Sequence, residues 1–366
     1  MNEYLLSIGA LGGLMAVLAI VLTIAEKLLV NYGICKININ NGDKELEVEG
    51  GQTLLSALYE NEIFIPSACG GQGSCGFCKC TVDSGGGPVL PTETDFLSRQ
   101  ERKAGVRLSC QVKVRKDLEV RIPEDMLNAK IFDATVQSAI MKTHDIVELR
   151  FKLDEPATIE HFPGAYVQIE APTSEGTIFR AYSISSPVYD TDVVELNVKL
   201  IPEGLGSTYL HSLKEGDKVR FTGPFGEFKL NEDPDTEIIC VGGGVGMAPM
   251  KNIIYSLYEK WPDRKCKLFF GARSVADTYY YEEYKELAKK HPNFEVIYSL
   301  DRPDPAVPDW DGSIGFIHMP LGEMIQGEAK RQAFLCGPPP MINAVTKVLL
   351  EKGLPQKEIF FDDFGS

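Results

Sequence analysis

Basic residues are in short supply in this chain. Its 366 residues carry 37 Lys and Arg against 52 Asp and Glu, a formal net charge of −15. Binding phosphate takes an excess of Lys and Arg. The balance therefore argues against nucleic acid or an anionic membrane surface as partner, and fits a solvated acidic exterior. Histidine is scarce: His144, His161, His211, His291 and His318 share no metal-ligand spacing and receive no role. Internal repeats and low-complexity tracts are absent. Side-chain charge is missing from Tyr4 to Ala25, a run made mostly of Leu, Ile, Val, Ala and Gly. At about 1.5 Å per helical residue it spans about 33 Å, enough for a hydrocarbon core of about 30 Å. No Lys or Arg precedes the run, which argues against a secretory signal, and Lys27 and Lys36 follow it. Residues 1–30 are therefore predicted to be a single-pass transmembrane anchor with the rest of the chain in the cytoplasm.

What is present begins with cysteine. There are nine, and Cys69, Cys75, Cys78 and Cys80 fall within CGGQGSCGFCKC. A disulfide scaffold spreads an even number over a short chain, so this clustering points to a reducing compartment with thiolates kept for metal. Cys69, Cys75 and Cys78 have the spacing C-x5-C-x2-C, and Cys110 follows at a distance. Three thiolates from one loop and a fourth from elsewhere suit a [2Fe–2S] cluster. Zinc competes for four thiolates, but its sites more often pair two short C-x2-4-C units. Gly70, Gly71, Gly73 and Gly76 let the backbone wrap closely and turn N–H groups toward sulfur. Cys80 is the odd one out, a structural thiol heading the next strand; Cys35, Cys240 and Cys266 also read as structural. Around the loop, the pattern predicts a hairpin about Asn41-Gly42, a short helix over Thr53–Asn61, and a strand RLSCQVKV with Cys110 inside it. Residues 33–125 resemble plant- or adrenodoxin-type ferredoxins, and that resemblance implies an α+β β-grasp fold.

From about 130 to 231, IVELRFKL, AYVQIEAP, VVELNVKLI and DKVRFTG alternate apolar and polar residues and predict a small antiparallel β-barrel. It contains Arg180-Ala181-Tyr182-Ser183, then Gly204-Leu205-Gly206-Ser207-Thr208, then Gly223-Pro224-Phe225-Gly226. These suit an anionic, aromatic ligand. Arg180 can grip a pyrophosphate, Tyr182 can pack on a ring or ribose, and Ser183 can bond a ring nitrogen. The helix start after Gly204 offers N–H groups to phosphate. From 232 onward strands alternate with helical runs, which predicts an α/β parallel sheet with helices on both faces. Gly243, Gly244 and Gly246 with Met247, Ala248 and Pro249 form a G-x-G-x-x-P turn between strand and helix, where a dinucleotide pyrophosphate would rest. Cys336-Gly337-Pro338-Pro339 ends a later strand, where open sheets bind ligands. Gly271 to Ser274 follows the second strand, where a ribose would lie. A single basic residue there, Arg273, favours NADH over NADPH.

The order R-x-Y-S, G-x-G-S, G-P-F-G resembles the ferredoxin-NADP reductase superfamily, whose barrel binds FAD. The resemblance implies that Cys336 lies beside the nicotinamide and Ser183 beside the flavin. It also implies that a C-terminal aromatic, here Phe364, covers the flavin; Phe360 and Phe361 then read as core strand residues. Together, CGGQGSC, RAYS, GPFGEF, GGGVGMAPM, CGPPPM and the FDDFG tail resemble the F subunits of sodium-translocating NADH:quinone oxidoreductases over nearly the whole chain. One departure is that Glu170-Ala171-Pro172 runs almost straight into Arg180 where that family carries a longer insertion. The resemblance implies an anchor (1–30), a ferredoxin domain (33–125), an FAD barrel (130–231) and an NAD domain (232–366) at the inner membrane. Electrons would pass from NADH through FAD and [2Fe–2S] to quinone or membrane partner subunits. A reductase component feeding an oxygenase is the alternative, and a non-catalytic redox sensor or assembly factor a third reading.

Overall fold

A computed structural model describes residues 12–13, 15–19, 32–67, 69–174, 176–226, 228, 230–327 and 329–363. Most of the predicted membrane anchor, and Phe364, lie outside the described residues. Among the described residues no helix is long and apolar enough to cross a membrane. The chain divides into two units, Met1–Asn128 and Ala129–Ser366.

In the first unit, alternation of Cys35, Ile37 and Ile39 with polar neighbours makes β1 (Ile34–Ile39), which turns at Asn40–Asp43 into antiparallel β2 (Lys44–Glu49). Asn40, Asn41 and Gly42 take φ of 51, 61 and 108°, the left-handed values such a turn demands of Asn and Gly. Thr53 caps α1 (Leu54–Glu60) by accepting from the Ser56 N–H at 3.1 Å, and the helix buries Leu54, Ala57 and Leu58. After β3 (Lys79–Ser84) come α2 (Arg99–Lys103), β4 (Val106–Leu108), β5 (Leu118–Arg121) and the short α3 (Glu124–Leu127). The sheet order is β2-β1-β5-β3-β4, with β1 and β5 parallel. One expectation is corrected: the strand predicted to contain Cys110 stops at Leu108. The chain then turns, with Gln111 N–H donating to Leu108 C=O and Ser109 N–H to Cys78 C=O, both at 2.8 Å, which carries Cys110 toward the cysteine loop.

The second unit opens with six antiparallel strands: β6 (Lys130–Met141), β7 (Ile146–Glu155), β8 (Tyr166–Thr173), β9 (Gly176–Ser183), β10 (Val193–Lys199) and β11 (Lys218–Phe225). Their order is β10-β7-β6-β11-β8-β9, and a bridge from Ile184 to Leu196 brings the two ends together. Helix α4 (Leu205–Ser212) lies between β10 and β11. Most of β9 is half-buried, so its sequence shows no clean alternation, yet it carries Arg180 to Ser183.

The parallel part comprises β12 (Glu237–Gly243), α5 (Met247–Lys260), β13 (Cys266–Ala272), α6 (Tyr281–Lys290), β14 (Phe294–Leu300), β15 (Ser313–Ile314), α7 (His318–Met324), β16 (Arg331–Gly337), α8 (Pro339–Glu351) and β17 (Ile359–Asp363). The order is β15-β14-β13-β12-β16-β17, all parallel. Ile238 and Cys240 pack with Met250, Ile254 and Tyr284 of α5 and α6, whereas Ile239 and Val241 pack with Leu321, Val345 and Leu349 of α7 and α8. A strand buried on both faces is apolar throughout, which is why EIICV shows no alternation. Phe361, expected in the core, is 51% exposed: β17 is an edge strand, and its alternation turns Phe361 outward. Phe360 packs against Phe334 with ring centroids 5.4 Å apart.

Candidate functional site

The cysteine loop is built on four left-handed glycines, Gly70, Gly71, Gly73 and Gly76, with φ of 65, 86, 75 and 73°. At Gly76 a Cβ would come within 2.8 Å of the Phe96 ring, which leaves no room for a side chain, and at Gly73 it would displace the Gln111 amide, 2.6 Å away. The sulfurs stand in two pairs. Cys78 Sγ lies 3.2 Å from Cys110 Sγ, and the Cys69 and Cys75 thiols hydrogen-bond to each other. Burial works to raise the Cys69 thiol, but the Ser74 N–H, the Cys75 and Ser74 side chains and the Gln72 N–H outweigh it and hold it at about 6. Cys110 is held at about 7, chiefly by the Cys78 thiol, with help from Gln111 and the Gly73 N–H. Among the described residues, no three His, Cys, Asp or Glu converge as ligands of a single ion. Two pairs of thiols, with N–H groups aimed at sulfur, fit a cluster of two irons with two thiolates each better than one zinc. Cys80 is fully buried on β3, where burial pushes its thiol up to about 12, and it packs in the core.

In the second unit, β9 sets Arg180 and Tyr182 against the first turn of α4. A Cβ on Gly206 would lie 2.8 Å from Arg180 Cγ and 3.1 Å from the Tyr182 hydroxyl, so this approach needs glycine. Ser207 is spent on the loop itself: its Oγ accepts from Ile201 N–H and donates to Gly204 C=O, both at 3.1 Å. Thr208 N–H bonds Gly204 C=O at 2.9 Å, and Ala181 pairs with Gln168 across the sheet. Ser183 is buried at the end of β9.

The turn after β12 meets the end of β16 so closely that a Cβ on Gly246 would stand 1.9 Å from the Cys336 carbonyl oxygen. Beside them a cavity of about 470 Å³ is lined by Gly243, Gly244, Gly271, Arg273 and Pro338. Cys336 is fully buried in the core and does not line it; Met247, Ala248 and Pro249 are buried in the first turn of α5. The cavity sits where the strand order reverses, the place at which open α/β sheets bind ligands.

Comparison with known proteins follows the same division. Residues 37–115 match the 2Fe-2S iron-sulfur cluster binding domain, 133–230 the oxidoreductase FAD-binding domain and 240–347 the oxidoreductase NAD-binding domain. Over 406 aligned positions the chain is 37% identical to the F subunit of the Na(+)-translocating NADH-quinone reductase of Neisseria meningitidis serogroup C / serotype 2a, with 99% of this chain and 100% of that one covered. The chain belongs to this family of F subunits. The homologue in Actinobacillus succinogenes is also 37% identical, over 408 positions, covering 100% of this chain and 99% of its own. Both alignments are longer than the 366-residue chain, so these two relatives hold segments that it lacks. Among solved structures, Amycolatopsis cytochrome P450 reductase GcoB is 30% identical with a TM-score of 0.73, covering 90% of this chain and 98% of that one. The ferredoxin reductase in carbazole 1,9a-dioxygenase is 26% identical with a TM-score of 0.68, covering 91% and 99%.

In this member of the family the barrel also walls this cavity, a feature the motifs did not reveal. Thr143, Asp145 and Ile146 from the β6–β7 turn and Lys199 from β10 line it, opposite Asp277, Asp301 and Phe316. Both lining cations are paired, Lys199 with Asp145 at 3.3 Å and Arg273 with Asp277 at 3.3 Å. Burial works to raise the Asp145 carboxyl, but Thr143 and Lys199 bring it below the usual range. Of these residues, only Asp277 had a local signal, standing four places after Arg273.

Proposed function

We propose that this chain is the NADH-oxidising subunit of a membrane quinone reductase. One observation carries the reading. A single cavity is walled by both the flavin-type barrel and the dinucleotide-type sheet, in a chain whose other unit gathers four thiols in two pairs. When bound, FAD converts hydride into single electrons and a [2Fe–2S] cluster relays them. Cys69, Cys75, Cys78 and Cys110 hold the cluster. Arg180 and the Gly204–Thr208 turn take the FAD pyrophosphate, Tyr182 packs on the cofactor and Ser183 meets its ring. The turn from Gly243 through Gly246 into Met247-Ala248-Pro249 takes the NADH pyrophosphate. Gly271 and Arg273 flank the ribose, and the Cys336-Gly337-Pro338 turn, which reaches the cavity through Pro338 with Cys336 buried behind it, positions the nicotinamide. The cavity's three carboxylates, Asp145, Asp277 and Asp301, outnumber its two cations, Lys199 and Arg273, both of which are already paired, so NADH is preferred over NADPH with its added 2′-phosphate.

Residues 1–30 anchor the chain by a single pass in the inner membrane, with ferredoxin (33–125), FAD (130–231) and NAD (232–366) domains in the cytoplasm. Phe364 covers the flavin. The acceptor is quinone, reached through membrane partner subunits, and the relatives carry sodium translocation in their names. A second reading, a reductase component serving an oxygenase, draws on the likeness to GcoB and to the carbazole dioxygenase reductase. An anaerobic absorbance titration of the chain with NADH, then with NADPH, tests the proposal. NADH is expected to bleach flavin and cluster bands together, well before NADPH does. Flavin bleaching without cluster bands in reconstituted protein would sink the thiol assignment. Membrane partition of the full chain, lost on deleting residues 1–30, separates the two readings.

A further inference from the structure

The run Thr278-Tyr279-Tyr280-Tyr281 takes no part in the reading above. Its two middle residues reach in opposite directions. Tyr279 donates its hydroxyl to the Gly244 carbonyl, inside the glycine turn, at 2.8 Å, and its own carbonyl accepts from the Tyr298 hydroxyl at 2.8 Å. Tyr280 donates to Glu148 on barrel strand β7 and lies 3.0 Å from Asn197 Oδ1 on barrel strand β10. Tyr280 is buried with φ at 58°, a left-handed conformation that a bulky residue keeps only when its surroundings impose it. Two ammonium groups cover its ring, Lys251 at 4.4 Å and Lys142 at 5.0 Å from the centroid. Lys251, on α5, pairs with Glu195 at 2.7 Å, and Lys142 pairs with Glu148 at 3.0 Å. Burying such a set costs desolvation that an apolar contact would avoid, so stability alone gives little reason for it.

We propose that Tyr279 and Tyr280 are positioning residues for hydride transfer: one hydroxyl holds the nucleotide turn, the other holds the flavin barrel, and their shared peptide bond sets the spacing between the two. Adjacent Cα atoms are fixed about 3.8 Å apart, so neither end moves without the other. This rests on the reading that NADH reduces FAD across the cavity.

The test is anaerobic stopped-flow reduction of the cofactor-loaded full chain by NADH and by NADH deuterated at the transferred position. Tyr280→Phe keeps the ring under its two cations and removes only the hydroxyl. It is expected to slow flavin reduction about ten- to a hundredfold. The deuterium isotope effect should rise, with kcat falling more than KM changes and flavin content kept. Tyr279→Phe severs the same link at Gly244, so the double variant is expected to be no slower than the worse single one. Wild-type rates and isotope effect in a folded Tyr280→Phe chain overturn the proposal. Should that variant not fold, wild-type transfer by Tyr279→Phe overturns it instead. A wild-type chain that NADH does not bleach overturns both this proposal and the reading it rests on.

Discussion

Cys78 stands just before β3 begins, and Cys80 lies inside it, paired across the sheet with Arg107 of β4. All three thiols Cys78, Cys80 and Cys110 are buried, but it is Cys78 whose sulfur lies 3.2 Å from that of Cys110. Cys78→Ser is expected to abolish the cluster's visible and EPR signals while leaving flavin reduction by NADH intact. Cys80→Ser is expected to keep those signals and lose about 1–3 kcal/mol of stability, the cost of a buried hydroxyl without a partner. Paired EPR spectra and denaturant melts of the two variants decide the matter. His161 behaves differently from an exposed imidazole. Its Nε2 is buried without a partner, and burial pushes its pKa from 6.5 down to about 4. Between those values the unfolded chain binds a proton that the folded chain refuses. Its contribution is therefore full above 6.5 and fades as pH falls toward 4, by about 3 kcal/mol in all. His161→Gln should flatten the stability curve between pH 7 and 4; curves that stay parallel to wild type would refute this.

At the scale of elements, the tightest constraint on the glycine turn after β12 is its approach to the end of β16. Because a Cβ at Gly246 would collide with backbone, the Cys336 carbonyl, no side-chain rotation relieves it. Gly246→Ala should therefore push the turn off the end of β16 and raise KM for NADH at least about tenfold, equivalent to about 1.4 kcal/mol, while FAD content stays near wild type. Steady-state kinetics with a flavin assay measures both. Hydrophobic rhythm identified most elements here, but not all. The half-buried β9 hid its strand, and a turn replaced a strand at Cys110 because that thiol has to reach Cys78. The ion pair of Arg107 with Glu93 at 2.7 Å, which ties the Gly86–Pro88 loop to β4, had no local signature at all.

On the scale of the whole molecule, the division at Asn128 and Ala129 predicts separable chemistry. Residues 129–366 produced alone should bind FAD and reduce a two-electron dye with NADH near the full chain's rate, yet show no cluster signal. Failure to retain flavin would mean that the first unit contributes to that site.

The order of motifs along the chain, and the family they mark, were legible without coordinates. Metal loops, glycine turns and helix starts are local devices: residues a few places apart must cooperate, so their spacing is written into the sequence. The second wall of the cavity was not. Asp145 and Lys199 meet Asp277 and Arg273 only after the barrel closes and the parallel sheet forms beside it. Tyr280 finds Glu148 across 132 residues. Contacts at such separation leave no periodic trace, because each partner satisfies its own strand's or helix's pattern first. Composition, spacing and order therefore determined the chemistry this chain is built to carry. Only the tertiary structure decided which side chains close the site, since that depends on where two independent folding patterns bring their edges together.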